Sequence, residues 1–110
     1  MTRSAPRPLD QEELRRHLDD LPGVRHDPGS GLVVEVRAPS FPEAIRLVQL
    51  VAEDAEQLDH HPDIDIRWRT VRFTVITHSV GAITQLDVEL MRSVVRTAEQ
   101  VGAEVLPASS

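Results

Sequence analysis

Residues 40–78 read SFPEAIRLVQLVAEDAEQLDHHPDIDIRWRTVRFTVITH, and the change of hydrophobic period inside this stretch decides the fold. From Phe41 through Ala44/Ile45, Val48, Val51/Ala52, Ala55 and Leu58 the apolar residues recur at helical spacing for about five turns. Ser40 followed three residues later by Glu43 is a capping-box signature, and Pro42 suits a first helical turn. The helix is expected to stop at His60-His61-Pro62, because the residue before a proline is pushed out of the α region. The period then falls to two. Ile64, Ile66 and Trp68 alternate with Asp65, Arg67 and Arg69; after a tight connection at Arg69-Thr70, Val71, Phe73 and Val75 alternate with Arg72, Thr74 and Ile76. A long amphipathic helix therefore runs directly into a β-hairpin.

The same unit occurs once more upstream. Leu14, Leu18 and Leu21 place one buried stripe on a helix from Asp10 to Leu21, which Pro22-Gly23 ends. The turn residues Asp27-Pro28-Gly29-Ser30-Gly31 then separate Val24-Arg25-His26 from Leu32–Ala38, where Leu32, Val34 and Val36 face one way and Glu35 and Arg37 the other. Downstream, Thr84 with Asp87 at the third position caps a last helix, lined by Leu86, Leu90, Val94, Ala98 and Val101. The order helix, two strands, helix, two strands, helix predicts an α+β fold: one four-stranded antiparallel sheet with three helices packed on one face. The other face, with Glu35, Arg37, Arg67, Arg72 and Thr74, stays polar.

The chain has 110 residues, of which 40% are hydrophobic, enough for one core and one domain, expected over 9–106. The Pro- and Ser-containing ends, 1–8 and 107–110, are expected to be disordered tails. A net charge of −6 argues against a nucleic-acid surface, and Arg67, Arg69 and Arg72, interleaved with apolar residues, read as the solvated face of a hairpin. The absence of cysteine excludes disulfides, thiolate nucleophiles and sulfur-ligated zinc. No apolar run has the length of a signal-peptide core or a membrane span, so no membrane partner is expected and a cytoplasmic location follows by default.

Three of the five histidines fall at junctions: His60 and His61 after the central helix, and His78 after the last strand. Such junctions commonly face one rim of a sheet, so the three imidazoles are candidates to converge. Glu56 precedes His60 by one helical turn and can orient it; an ordinary surface ion pair near a helix end explains the same spacing. A His/carboxylate metal site using Glu56, His60, His61 and His78 is the competing chemistry, although adjacent His60 and His61 start out in different directions.

In order, Glu56, His60-His61-Pro62, Trp68, His78 and Asp87 resemble the signature of the pterin-4a-carbinolamine dehydratases. The likeness is clear from Phe41 to Val95 and includes the Thr77-His78, Gly81, Thr84 turn. It implies dehydration of a 4a-hydroxytetrahydropterin to the quinonoid dihydropterin, with neither metal nor organic cofactor. It also implies a pterin substrate and a homodimer or homotetramer, the latter in keeping with the need to cover exposed sheet edges. Loss of the C4a hydroxyl requires a proton delivered to oxygen and one removed from N5, tasks imidazole performs near neutral pH. By this resemblance His60 and His78 form the acid/base pair, His61 binds and polarises substrate, and Glu56 orients His60. Asp87 bonds across the site or stabilises the Thr84 cap, Trp68 packs or walls the pocket, and Pro62 fixes the turn.

The chain departs from the family pattern at Val24 and Leu47, where aromatics are usual, and at Ala82 and Met91, where glycine and alanine are usual. The resemblance implies a changed pocket wall or subunit contact there. The alternative function is a non-catalytic binding or assembly module on the same fold. The retention of all three histidines favours the enzyme.

Overall fold

The computed structural model describes residues 6–108. Its elements are α1 (Gln11–Asp19), β1 (Arg25–Asp27), β2 (Gly31–Arg37), α2 (Phe41–Leu58), β3 (Asp63–Arg67), β4 (Thr70–Val75), α3 (Gln85–Gln100) and β5 (Glu104–Val105). The α-β-β-α-β-β-α order and the antiparallel sheet, in the order β1-β2-β4-β3, agree with the sequence reading. The short β5 adds a fifth strand. It pairs Val105 with Val36 and Glu104 with Arg37, taking up the part of the β2 edge that the three residues of β1 leave open.

One core holds the layers together. Leu32, Val34 and Val36 of β2 and Val71, Phe73 and Val75 of β4 pack with Leu14 of α1, Ala44, Leu47, Val51 and Ala55 of α2, and Val88, Leu90, Met91, Val94 and Ala98 of α3. All three helices thus share the apolar face of the sheet. Each fully buried Val, Leu or Phe contributes about 1.5–3 kcal/mol through transfer from water. On the opposite face Glu35, Arg72 and Asp65 stand side by side across three strands, and Arg72 lies 3.7 Å from Glu35. A salt-bridged, solvated face needs no further layer.

Helix boundaries differ in instructive ways from the periodicity. α1 begins at a reciprocal cap, with Asp10 accepting from the Glu13 N–H and Glu13 from the Asp10 N–H. In α2 Ser40 accepts from the Glu43 N–H at 3.3 Å, while the Glu43 carboxylate sits 4.0 Å from Arg46. α2 ends at Leu58, before the histidines, because Asp59 turns into the left-handed region (φ 50°). The β3–β4 connection is Trp68-Arg69, one residue earlier than expected, with Trp68 also left-handed (φ 54°).

The expected tails fall partly on residues 1–5 and 109–110, outside those described. Within the described residues, the Leu9 N–H donates to the Ile83 carbonyl and the Leu106 N–H to that of Glu35, each at 2.9 Å. Among the described residues no helix is long and apolar enough to cross a membrane.

Candidate active site

His60 is placed by the way α2 stops. The Asp59 N–H bonds to the Glu56 carbonyl at 3.1 Å and the His60 N–H reaches back to that of Ala55 at 3.0 Å, the paired bonds of a Schellman closure. With the backbone of His60 tied to the last turn, its ring is carried toward the start of α3. There the imidazole Nε2 meets Asp87 Oδ1 at 2.6 Å. The side chain of His60 is 11% exposed and that of Asp87 fully buried.

A buried carboxylate is costly unless its oxygens are satisfied. Asp87 meets that requirement with three donors. Its Oδ2 accepts from the Thr77 hydroxyl and from the Thr84 N–H, each at 2.8 Å, and its Oδ1 accepts from the His60 Nε2–H. The Thr84 hydroxyl donates to Thr77 Oγ1 at 2.8 Å and accepts from the Leu86 N–H at 3.2 Å. Each hydroxyl proton therefore has a defined direction, and Asp87 is an acceptor throughout. His60 is left with the proton on Nε2 and a lone pair on Nδ1. Among the described residues Nδ1 has no partner, and no buried side-chain nitrogen or oxygen lacks one, so Nδ1 lies open to solvent.

The loop after β4 brings the other half. Thr77 bridges to Ala82, and the Gly81 N–H closes onto the Thr77 carbonyl at 2.9 Å. Gly81 adopts φ 62°, a conformation open to glycine at little cost. His78 projects from this turn. Together His60, His61 and His78 line one open cleft of about 860 Å³, with Asp59, Thr77 and Thr84. His61 and His78 are exposed and also border a smaller recess with Ser30 and Asp63. Among the described residues no three His, Cys, Asp or Glu side chains are grouped to hold a metal ion.

Other expected residues lie elsewhere. Glu56 approaches His61 at 3.4 Å on the surface, not His60, because the left-handed Asp59 takes His60 out of helical phase. The role expected of Glu56, orienting His60, falls geometrically to Asp87. Trp68 does not wall the cleft: it is 71% exposed at the hairpin turn. Pro62 stands between His61 and the start of β3 and does not line the cleft. Of the family departures, Val24, Leu47 and Met91 are buried in the core and Ala82 pairs with Thr77, so none of the four alters the cleft wall.

Sequence spacing missed the opposite wall, supplied by Arg7, Leu9, Glu13 and His17. Arg7 grips Glu13 with two bonds, of 3.0 and 2.8 Å. The Arg7 guanidinium, helped by the Asp10 N–H, holds the Glu13 carboxyl down to about 2, and the pairing raises Arg7 in turn. Glu13 and His17 are four apart on α1, one turn of the same face. That spacing was the available signal; the Leu9 N–H bond to the Ile83 carbonyl holds the segment before α1 against the start of α3, beside the cleft.

The family model described as Pterin 4 alpha carbinolamine dehydratase matches residues 7–97. A Nocardia farcinica protein provisionally named a pterin-4-alpha-carbinolamine dehydratase is 50% identical over 86 residues, covering 78% of this chain and 90% of the relative. A Mycobacterium avium protein of the same provisional name is 49% identical over the same coverage. A crystal structure from Brucella melitensis, described as a transcriptional coactivator/pterin dehydratase, superposes with a TM-score of 0.79. It is 28% identical, and the match covers 84% of this chain and 99% of that one.

Proposed function

We propose that this chain, which belongs to the pterin 4 alpha carbinolamine dehydratase family, is a hydro-lyase converting a 4a-hydroxytetrahydropterin to the quinonoid dihydropterin by histidine acid/base catalysis. The observation that carries the reading is the His60–Asp87 bond at the base of a cleft that His61 and His78 also line. Asp87 keeps the proton on Nε2, so His60 acts as the base through Nδ1. As the N5–H bond breaks, its electrons form the C4a=N5 double bond and its proton passes to His60. The C4a–O bond breaks at the same time, and His78 protonates the departing oxygen, which leaves as water. No electrons are gained or lost overall. The imidazolium formed on His60 rests against the Asp87 carboxylate, as in other imidazole bases backed by a buried acid. Exposed His78 regains its proton from solvent, His60 releases its own to solvent through Nδ1, and His61 holds the ring.

General acid and base groups each contribute about 10²–10⁴-fold to rate. His60→Ala and His78→Ala are therefore expected to lower kcat by at least about 10²-fold while still binding pterin. Unchanged turnover in either variant would remove that residue from the reaction.

Assembly into a homodimer or homotetramer and a cytoplasmic location belong to the same reading. The β3 edge is unpaired among the described residues, and Ile66 and Trp68 are exposed at its end. The Ala38 N–H bonds to the Arg69 carbonyl at 2.8 Å, which sets the Trp68 turn beside the start of α2, where Phe41 and Ile45 are also exposed. An unpaired edge beside an apolar patch suits a second copy of the chain. Sedimentation equilibrium reads this directly: a concentration-independent monomer would overturn it.

A further inference from the structure

We infer that His17, held by Arg92, reads the substituent on the pterin ring, and that this substituent carries a hydrogen-bond acceptor; the inference rests on the dehydratase reading above. Arg92 Nη2 lies 3.3 Å from His17 Nδ1 in a partly buried contact. A guanidinium only donates, so Nδ1 is the acceptor and the ring proton sits on Nε2. That N–H has no partner among the described residues. Because no buried side-chain nitrogen or oxygen among them lacks one, Nε2 is open to solvent. The ring lines the cleft. His17 is thus a donor of fixed tautomer on the cleft wall, four residues from Glu13 on α1 and apart from the proposed acid/base groups, which stand on the α2–β3 and β4–α3 connections.

The size of the cleft says what this donor can meet. At about 860 Å³ it lies near the top of the roughly 300–1,000 Å³ range that encloses whole drug-sized molecules, more than a bicyclic ring requires. With the ring among His60, His61 and His78, the remaining space runs toward α1. A substituent extending there meets the His17 N–H. Hydroxyl, carbonyl and carboxylate groups satisfy it; an alkyl group leaves it unpaired.

The test is equilibrium binding by calorimetry of two stable pterins, one with a dihydroxypropyl group at C6 and one with a methyl. Steady-state dehydration of the corresponding 4a-hydroxy forms accompanies it. The parent is expected to favour the hydroxylated pterin by about three- to tenfold, the worth of one net hydrogen bond. His17→Leu abolishes the preference, seen as a raised Kd and KM for that pterin alone, with kcat within about twofold. His17→Asn, which keeps a donor, restores part of it, and Arg92→Leu, which frees the tautomer, lowers it. An equal preference in the parent and His17→Leu, or none in the parent, overturns the inference. Turnover of both pterins without preference would sink the His17 contact alone. Preferential binding without turnover would sink the dehydratase reading and leave the contact standing.

Discussion

Replacing Asp87 with Asn separates the shape of the buried network from its chemistry. The aspartate uses Oδ2 for two donors, the Thr77 hydroxyl and the Thr84 N–H, and Oδ1 for the third, His60 Nε2. Asparagine has one carbonyl oxygen. The two donors at Oδ2 claim it, which turns the amide NH₂ toward His60 at the former Oδ1 position. Two donors cannot face each other, so His60 must accept at Nε2 and carry its proton on Nδ1, where the base needs a lone pair. The stability cost is modest: each of the three charge-assisted bonds, worth about 1.5–3 kcal/mol, becomes a neutral one worth about 0.5–1.5, and removal of a buried charge whose desolvation opposed folding offsets much of that loss. The fold therefore survives at a loss of about 1–2 kcal/mol out of a typical domain stability of about 5–15. The rate does not: dehydration falls by about 10²–10⁴-fold. Nitrogen-15 spectra of labelled histidine identify which ring nitrogen is protonated, and urea unfolding gives the stability. An Asp87→Asn protein that keeps Nε2–H and turns over within about threefold of the parent would show that Asp87 does not set the tautomer of the base.

Three further outcomes follow from particular contacts. Gly31 has φ 129°, and a Cβ there would lie 2.1 Å from the Val75 carbonyl oxygen; Gly31→Ala is expected to cost about 2–4 kcal/mol in urea unfolding by forcing β2 from β4. The Glu13 carboxyl is lowered from its ordinary 4.5 to about 2. The unfolded chain thus takes up that proton first as pH falls, so the contribution of Glu13 is complete above about pH 4.5 and lost between there and about 2. A nuclear magnetic resonance titration of Glu13 checks the value, and its deficit in Glu13→Gln stability should vanish over that window. Trp68→Asp should leave folding within about 0.5 kcal/mol, because the ring is 71% exposed, yet shift sedimentation toward monomer.

Much of the fold was legible because period and turn chemistry agree over long stretches. The five-turn stripe of α2 and the alternation of β2 and β4 report burial directly. The two residues of β5 carry no period at all, and follow α3 only because Gly102 turns the chain back. At the site, Asp87 had two sequence readings, cap residue and cross-site partner, and one carboxylate has the geometry for both: Oδ2 faces Thr84 and Oδ1 faces His60. The Glu56–His60 spacing misled for a local reason. Four residues mean one face only while the helix lasts, and Asp59 leaves it first. Arg7 and His17 were illegible as cleft residues, since their neighbours there are distant in sequence.

Dehydratase activity is read by following quinonoid dihydropterin formation from enzymatically generated 4a-hydroxytetrahydropterin, with and without the purified chain. Acceleration proportional to protein concentration is expected, retained after exhaustive treatment with a chelator and lost in the His60→Ala, His78→Ala double variant. A rate equal to the spontaneous one at every protein concentration would contradict it.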